Sequence, residues 1–307
     1  MQYKIEYSGT KEELFKIWWW VFSLNILSLG LYSFWGKTLL RQYLAQHCRL
    51  NDISFEYLGH AGSLCRGFFK ALPIWLILIL GFKFFEHTPY EDPYGVLLTL
   101  AVVYLSFVAI FGALRYRLTN VSWHGVRGHI RSSAWRFGLL GLWCSFVSVC
   151  SLGLMLGWMD HTLYQKKFNN IRFGKLSVIY SGAAKDLFKI NLYTMLLAPC
   201  TLWLSRIWYV AKVRNYIYNH TCVGDFKVIN TEDGKALVKL YVWGFFTTLL
   251  SLGILYPLVI QRKMQYIAQH FVLQGDLDEL IVTIDQEKIM QSGEGLYTVL
   301  DEHTEIW

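Results

Sequence analysis

The chain has 307 residues, of which 54% are hydrophobic and 17% charged, with a formal net charge of +7. Average soluble domains carry about 25% charged residues, a moderate difference that the bunching of the apolar residues makes decisive against an ordinary soluble enzyme. Charge is bunched too: residues 1–274 carry a net +15 and residues 275–307 a net −8. The basic part flanks apolar segments, which points to anionic lipid as partner and away from nucleic acid.

In chain order, Tyr3-Lys-Ile-Glu-Tyr7 alternates with strand period, Gly9 marks a turn, and Glu12 and Glu13 favour the start of a helix. Residues 17–36 follow without a charge, broken by Ser28-Leu-Gly30. A second helix carries Lys37 and Arg41 and ends near Gln46-His47. Ile53-Ser-Phe-Glu-Tyr57 and Gly59 open a longer unit. It has apolar helices near 68–85 and 94–114, an acidic loop over 87–93, and a basic end at Arg115, Arg117 and Asn120. Residues 137–159 repeat the uncharged run with a break at Ser151-Leu-Gly153, then Lys166, Lys167 and Asn169-Asn170. After Tyr180-Ser-Gly182, residues 190–205 break at Pro199, and Lys212, Arg214 and Asn219-His220 follow. Residues 240–261 break at Ser251-Leu-Gly253, followed by Arg262, Lys263 and Gln269-His270. In the acidic tail, residues 280–284 alternate like one more strand.

Internal similarity organises these elements. Tyr7-Ser-Gly-Thr-Lys-Glu-Glu-Leu-Phe-Lys-Ile17 and Tyr180-Ser-Gly-Ala-Ala-Lys-Asp-Leu-Phe-Lys-Ile190 agree at seven of eleven positions, and residues 28–47 agree with 251–270 at eight of twenty. An ungapped register at offset 123 pairs Ser28-Leu-Gly-Leu31 with Ser151-Leu-Gly-Leu154 and Trp35 with Trp158. This predicts one membrane domain over 1–274 with five repeats (1–57, 58–130, 131–180, 181–230, 231–274) and a separate acidic tail, 275–307. The expected fold class is mainly α: a polytopic membrane protein of helix-break-helix units with short β-strands between them.

These motifs, with Asn25-Ile-Leu-Ser-Leu-Gly-Leu-Tyr-Ser-Phe-Trp35 and Phe55-Glu-Tyr-Leu-Gly59, resemble the YjgN family of bacterial inner-membrane proteins, a family without an assigned activity. The resemblance implies a multi-pass protein of the bacterial inner membrane. It is most specific over 5–70 and weaker over 130–274. Leu197-Ala-Pro199 departs from the Ser-Leu-Gly pattern.

Two topologies fit. A helix needs roughly 20 apolar residues to cross a bilayer, so six segments could span in alternation, which suits the inverted repeats of transporters. Basic linkers at 115–136 and 160–189, with five and six Lys+Arg, would then lie on opposite sides, against the positive-inside tendency. Alternatively the single-segment units are re-entrant, turning at their Gly or Pro breaks, and every basic linker shares the cytoplasmic face. No cleavable signal peptide is expected at the N-terminus.

Lys37, Arg41, Lys166, Arg214 and Lys263 are candidates to bind lipid or anions; interfacial anchoring is the plainer role for them. Asn25, Asn191 and Arg206 are polar groups within apolar segments, where polarity is costly and marks function or inter-helix contact. His47, His220 and His270 recur at unit ends; a ring of metal or proton-relay ligands is weighed against simple helix termination. The six cysteines form no Cys-x-x-Cys pair, no catalytic motif occurs, and no metal, cofactor or enzymatic activity is expected. Function reads as permeation of a small solute or ion, or alternatively as a scaffold that binds anionic headgroups or a protein partner. Self-association is a further possibility.

Overall fold

The alternating segments become strands, and each finds its partners far along the chain. The computed structural model describes residues 2–85, 88, 91–174, 176–201 and 205–275. β1 (Gln2–Tyr7) leads into α1 (Lys11–Leu27) and α2 (Ser33–Gln46), and β2 (Cys48–Leu50) and β3 (Ile53–Tyr57) follow. The order recurs as α3 (Ala61–Phe85), α4 (Glu91–Asn120), β4 (Val121–Trp123) and β5 (Val126–Ile130). Next come α5 (Ala134–Cys150), α6 (Leu156–Phe168), β6 (Ile171–Phe173) and β7 (Leu176–Tyr180). Last are α7 (Ala184–Leu197), α8 (Ser205–Asn219), β8 (Thr221–Val223), β9 (Phe226–Asn230), α9 (Gly234–Leu250), α10 (Tyr256–His270) and β10 (Phe271–Gln274).

The ten strands close into one antiparallel barrel in the order β1-β10-β9-β8-β7-β6-β5-β4-β3-β2. At one rim the strands turn tightly: Asn51 and Asp52 have φ of 51° and 60°, and His124 and Gly125 of 49° and 80°, the left-handed pair that a two-residue hairpin requires. At the other rim the ladders end in Tyr7↔Cys48, Tyr57↔Val121, Ile130↔Ile171, Tyr180↔Thr221 and Phe271↔Asn230. All five helical hairpins rise from that second rim. Neighbouring helices touch around the whole ring, and α10 closes on α1.

The expectation of a polytopic helical membrane protein with short β-strands between its units is therefore corrected. The strands form a single closed barrel, and α3 and α4 alone among the described helices are long and apolar enough to cross a membrane. The helices of the other pairs have 13–17 residues, about 20–25 Å against a hydrocarbon core of about 30 Å. Each uncharged run that looked like one span is the end of one helix, a break, and the start of the next. Alternating sides are impossible, because each pair begins and ends on the same rim. The strand-like residues 280–284 lie outside the described residues.

The breaks have a common geometry. Leu29, Leu152 and Leu252 adopt φ of 51°, 52° and 49°, followed by Gly30, Gly153 and Gly253 at 91°, 85° and 87°. Two successive left-handed residues end the helix, and the glycine bears this conformation without a Cβ penalty. The serine caps the turn that follows: Ser28, Ser151 and Ser251 Oγ accept from the backbone N–H of Tyr32, Met155 and Leu255 at 2.9, 3.1 and 3.1 Å. In the departing fourth pair, Thr201 Oγ1 takes this role with Ser205 N–H, at 3.2 Å. Two helix starts carry side-chain caps: Thr10 accepts from Glu13 N–H and Asp233 from Lys235 N–H.

The core lies where helices meet the barrel. Phe111, Phe137, Ile130, Ile171 and Val178 form one buried cluster; Tyr180, Leu187, Tyr209, Val213 and Ile217 form another. Gly9, Gly59 and Gly182, read as turn glycines, serve close approach instead. A Cβ at any of them would collide with the ring of Tyr7, Tyr57 or Tyr180 two residues earlier.

Candidate functional site

The facing sides of α3 and α4 define a cleft. Small residues face each other along the pair: Gly67 and Ala71 on α3, Ala109, Gly112 and Ala113 on α4. A Cβ at Gly67 or Gly112 would meet nothing within 4 Å, so the two helices diverge here and leave a cavity of about 600 Å³. Its far walls are apolar (Ile74, Trp75, Leu105, Val108). Its barrel end carries Arg41, Ser63, Tyr116 and Arg117. Arg41 reaches in from α2 and donates from Nη1 to Tyr57 Oη at 3.1 Å. Ser63 Oγ and Tyr116 Oη share a hydrogen bond of 2.7 Å, and the hydroxyl that does not donate to the other donates to His60 O, which lies 2.6 Å from Ser63 Oγ and 3.3 Å from Tyr116 Oη. Neither Arg41 nor Arg117 forms an ion pair with a described carboxylate. Arg117 also stands close enough to Lys167 for each to feel the other's charge. The result is an apolar slot with uncompensated positive charge at one end.

The family profile of the DUF898 bacterial proteins of unknown function matches residues 2–204 and again 191–299. The chain belongs to this family. It is the YjgN family that the motifs resembled, so the bacterial origin stands, and the family assigns no activity. No curated protein and no solved structure matches the chain.

In this DUF898 fold the five cationic candidates do not share a site. Arg41 alone lines the cleft. Lys37 is exposed, 6.0 Å from the centre of the Phe34 ring, and Lys263 is exposed, 6.0 Å from that of Tyr241. Lys166 is exposed at the end of α6. Arg214 pairs with the buried carboxylate of Glu232 at 3.4 Å and donates to Tyr241 Oη at 3.3 Å.

His47, His220 and His270 stay apart on three hairpins and do not form a ring. Each Nδ1 lies 2.8 Å from the carbonyl of a tyrosine four residues earlier (Tyr43, Tyr216, Tyr266), and each imidazole packs on that tyrosine's ring. Each therefore closes the last turn of its own helix. Among the described residues no group of three His, Cys, Asp or Glu could hold a metal.

Of the polar candidates within apolar segments, Asn191 and Arg206 connect. Asn191 is fully buried and donates to the carbonyls of Gly153 and Leu154 at 3.0 and 2.9 Å. Its own carbonyl accepts from Arg206 Nη1 at 3.0 Å. One side chain thus satisfies the exposed backbone of the neighbouring break. Trp18 Nε1 does the same for Gly253 O at 3.1 Å. Asn25 has a different environment, with a buried Oδ1 that has no partner among the described residues.

Sequence reasoning read Arg117 only as part of the basic end of its unit and passed over Tyr116, because only the angle between α3 and α4 opens the slot. It also missed the hydrogen bond from Tyr209 Oη to Asp160 Oδ2 at 2.6 Å. Glu232 was detectable: it stands two residues after Asn230, where three of the other four units place a glycine after tyrosine. In the barrel, burial raises the Tyr57 hydroxyl pKa against the opposing pull of Arg41, so the phenol stays neutral and accepts from the guanidinium. Burial likewise pushes the Cys48 thiol up to about 11, which leaves it unreactive at neutral pH.

Proposed function

We propose that this protein is seated in the bacterial inner membrane by its helical hairpins and holds one anionic phospholipid in the α3–α4 slot, with the barrel in the cytoplasm. The observation that carries the reading is the pairing of an apolar, small-residue slot with Arg41 and Arg117 at its barrel end. An acyl chain matches the slot, and a phosphate matches the guanidinium pair, which presents planar, multiply donating groups. The depth agrees, since charges at the barrel end fall at the headgroup level of the cytoplasmic leaflet.

Membrane seating draws on further features. The apolar stretches of α3 and α4 are 0% and 6% buried inside the protein, so they need another apolar environment. The tips of the first, third and fifth hairpins expose Leu29, Leu152 and Leu252 by 95%, 83% and 85%. A soluble protein would not present such patches. The non-helical backbone at these tips is the kind tolerated in a bilayer when protein covers it, and Asn191 and Trp18 cover two of the tips. On the outward barrel face Lys4, Arg49, Arg127, Arg172 and Lys227 are exposed, which favours the cytoplasmic side.

Permeation, the other expectation, is less well supported: the barrel axis is lined by apolar side chains, which oppose passage of an ion. The reading is of binding, without a catalytic step.

Native mass spectrometry after gentle detergent extraction tests it. The wild type should retain one anionic phospholipid. Arg41→Ala with Arg117→Ala should lower occupancy at least tenfold, from about 1.5–3 kcal/mol per charged hydrogen bond. Ala109→Trp, which fills the slot with the charges intact, should do the same. Lys37→Ala with Lys263→Ala should leave the lipid in place. Unchanged occupancy in both slot variants would sink the reading.

A further inference from the structure

The outer wall of the barrel is electrostatically lopsided. Lumen and exterior alternate along each strand, and Val126, Phe173, Val223 and Phe226 line the lumen, so their neighbours in sequence face out. On β1 to β4 the outward charges balance. Lys4 and Arg49 stand with Glu6 and Glu56, and Glu6 lies directly across the ladder from Arg49. From β5 round to β10 the outward ladder positions carry Arg127, His129, Arg172 and Lys227 and, among the described residues, no carboxylate. The register sets Arg172 opposite His129, with Arg127 and Arg131 at the two diagonal positions, about 7–8 Å away. All three arginines are exposed, and none forms an ion pair with a described carboxylate. Like charges brought together across a ladder destabilise a sheet, so an anion set on this face would stabilise the barrel.

The chain itself supplies one. β10 runs from the helical rim, at Phe271↔Asn230, to the other rim, at Gln274↔Lys227. The chain leaves the barrel there, and residues 275–307 carry nine carboxylates against one lysine. Their order matches that of the wall. Asp276, Asp278 and Glu279 come first, the apolar Leu280-Ile-Val282 and Ile284 next, and Asp285 and Glu287 after them. Round the wall from β10, Lys227 comes first, then the apolar Ile229, Cys222 and Ile179, the last 53% exposed, and then Arg172 and Arg127. Lengths agree as well. Arg172 on β6 lies four strands from β10, about 19 Å at about 4.8 Å per strand, and about ten residues of chain reach about 33 Å. The tether holds these carboxylates at an effective concentration in the millimolar range.

We propose that residues 276–287 cover the β5–β10 side of the barrel, with Asp285 and Glu287 against Arg127, Arg131 and Arg172 and the first acidic group against Lys227. The occupant of this face is the chain's own acidic segment, held by charge at both ends and by the apolar strip between them. While seated, it bars other polyanions from that side of the barrel.

The test uses the full chain in zwitterionic bicelles, with the native cysteines replaced and nitroxides at Asp52→Cys, on the balanced half of the barrel, and Gln286→Cys. Double electron–electron resonance in about 0.1 M salt should show one narrow distance population. That population should be lost in about 1 M salt, where the screening length falls from about 10 Å to about 3 Å. Arg127→Glu with Arg172→Glu should broaden it. So should Asp285→Lys with Glu287→Lys, which leaves the barrel untouched and keeps the test decisive if the arginine variant misfolds. All four substitutions together should restore the narrow population. A broad distribution in the unreversed chain overturns the proposal. So does a narrow one that both reversals leave in place, since the segment then docks elsewhere. Loss of the population in bicelles of anionic phospholipid also overturns it, because the face then belongs to lipid.

Discussion

The α3–α4 pair and the four shorter hairpins leave the same barrel rim through the same kind of connection, but they treat their neighbours differently. The short pairs are fastened tightly. Gly157 of α6 lies so close to α7 that a Cβ would run into the backbone carbonyl of Leu187, and Asn191 and Trp18 tie break carbonyls to adjacent hairpins. The long pair is fastened more closely on its α4 side than on its α3 side. α4 lies flush on α5, where a Cβ at Gly138 or Gly141 would strike Val108 and Tyr104 or Phe107, yet Gly67 and Gly112 face open space toward the slot. Glycine thus does opposite things in one ring: it brings helices together at α6–α7 and keeps room between α3 and α4. The short tips are apolar, whereas the connection at the long tip is rich in acidic residues, with Glu86, Glu91 and Asp92. A rigid collar around one looser, longer pair suits a protein that holds a lipid beside that pair.

The largest expected contrast is topological. With the native cysteines replaced, single cysteines at Asp52, Asp92 and Asn170 are labelled in intact spheroplasts with a membrane-impermeant maleimide. Asp92→Cys, at the long tip, should label fully; Asp52→Cys and Asn170→Cys, at the barrel, should not label until the membrane is opened. Labelling at position 170 in intact cells would separate the barrel ends of the hairpins onto two sides and break the common-rim arrangement in the membrane.

Next in size is the glycine contrast. Gly157→Ala should lower unfolding free energy in mixed micelles by about 3 kcal/mol, the upper part of the usual overpacking range. Gly112→Ala should raise it by about 0.8 kcal/mol, the helix propensity gain where nothing collides. Equal effects would mean that α3 and α4 close on each other in the membrane and that the slot does not persist.

How far the residues themselves announce this molecule follows from range. The Ser-Leu-Gly breaks, the acidic helix starts and the strands at Tyr3–Tyr7 and Ile53–Tyr57 were legible, because caps, φ > 0 glycines and period-two alternation are local signals. The three-residue strands Cys48–Leu50, Val121–Trp123, Ile171–Phe173 and Thr221–Val223 were not, since three residues carry no period. Without them the strands have no partners, and barrel closure, which joins Gln2 to Gln274, is invisible. Apolar runs also look the same whether they span or fold back; only the shared rim decides. Of the candidate site, Arg41 was readable as a basic residue within a repeat. Arg117 was readable in the same way, at the basic end of its unit, but not as the companion of Arg41, because their proximity depends on how α2 and α4 sit on the barrel.

The smallest effect is also the one whose sign discriminates. Leu29 combines a φ of 51° with 95% exposure at the tip of a short hairpin. A left-handed leucine costs about 1–2 kcal/mol relative to glycine. In water that residue would return nothing for the strain, since its side chain touches little, and Leu29→Gly would stabilise the protein by about 1 kcal/mol. In hydrocarbon the exposed leucine is worth about 1.5–3 kcal/mol, so the same substitution should destabilise by about 1 kcal/mol, and Leu152→Gly and Leu252→Gly should add to it. Unfolding free energies in lipid bicelles read the sign. Destabilisation that grows across the three sites means that the short tips are immersed. Stabilisation means that they stand in water and that α3–α4 alone enters the bilayer, which would turn the contrast between rigid collar and long pair into one between a soluble ring and a single membrane anchor.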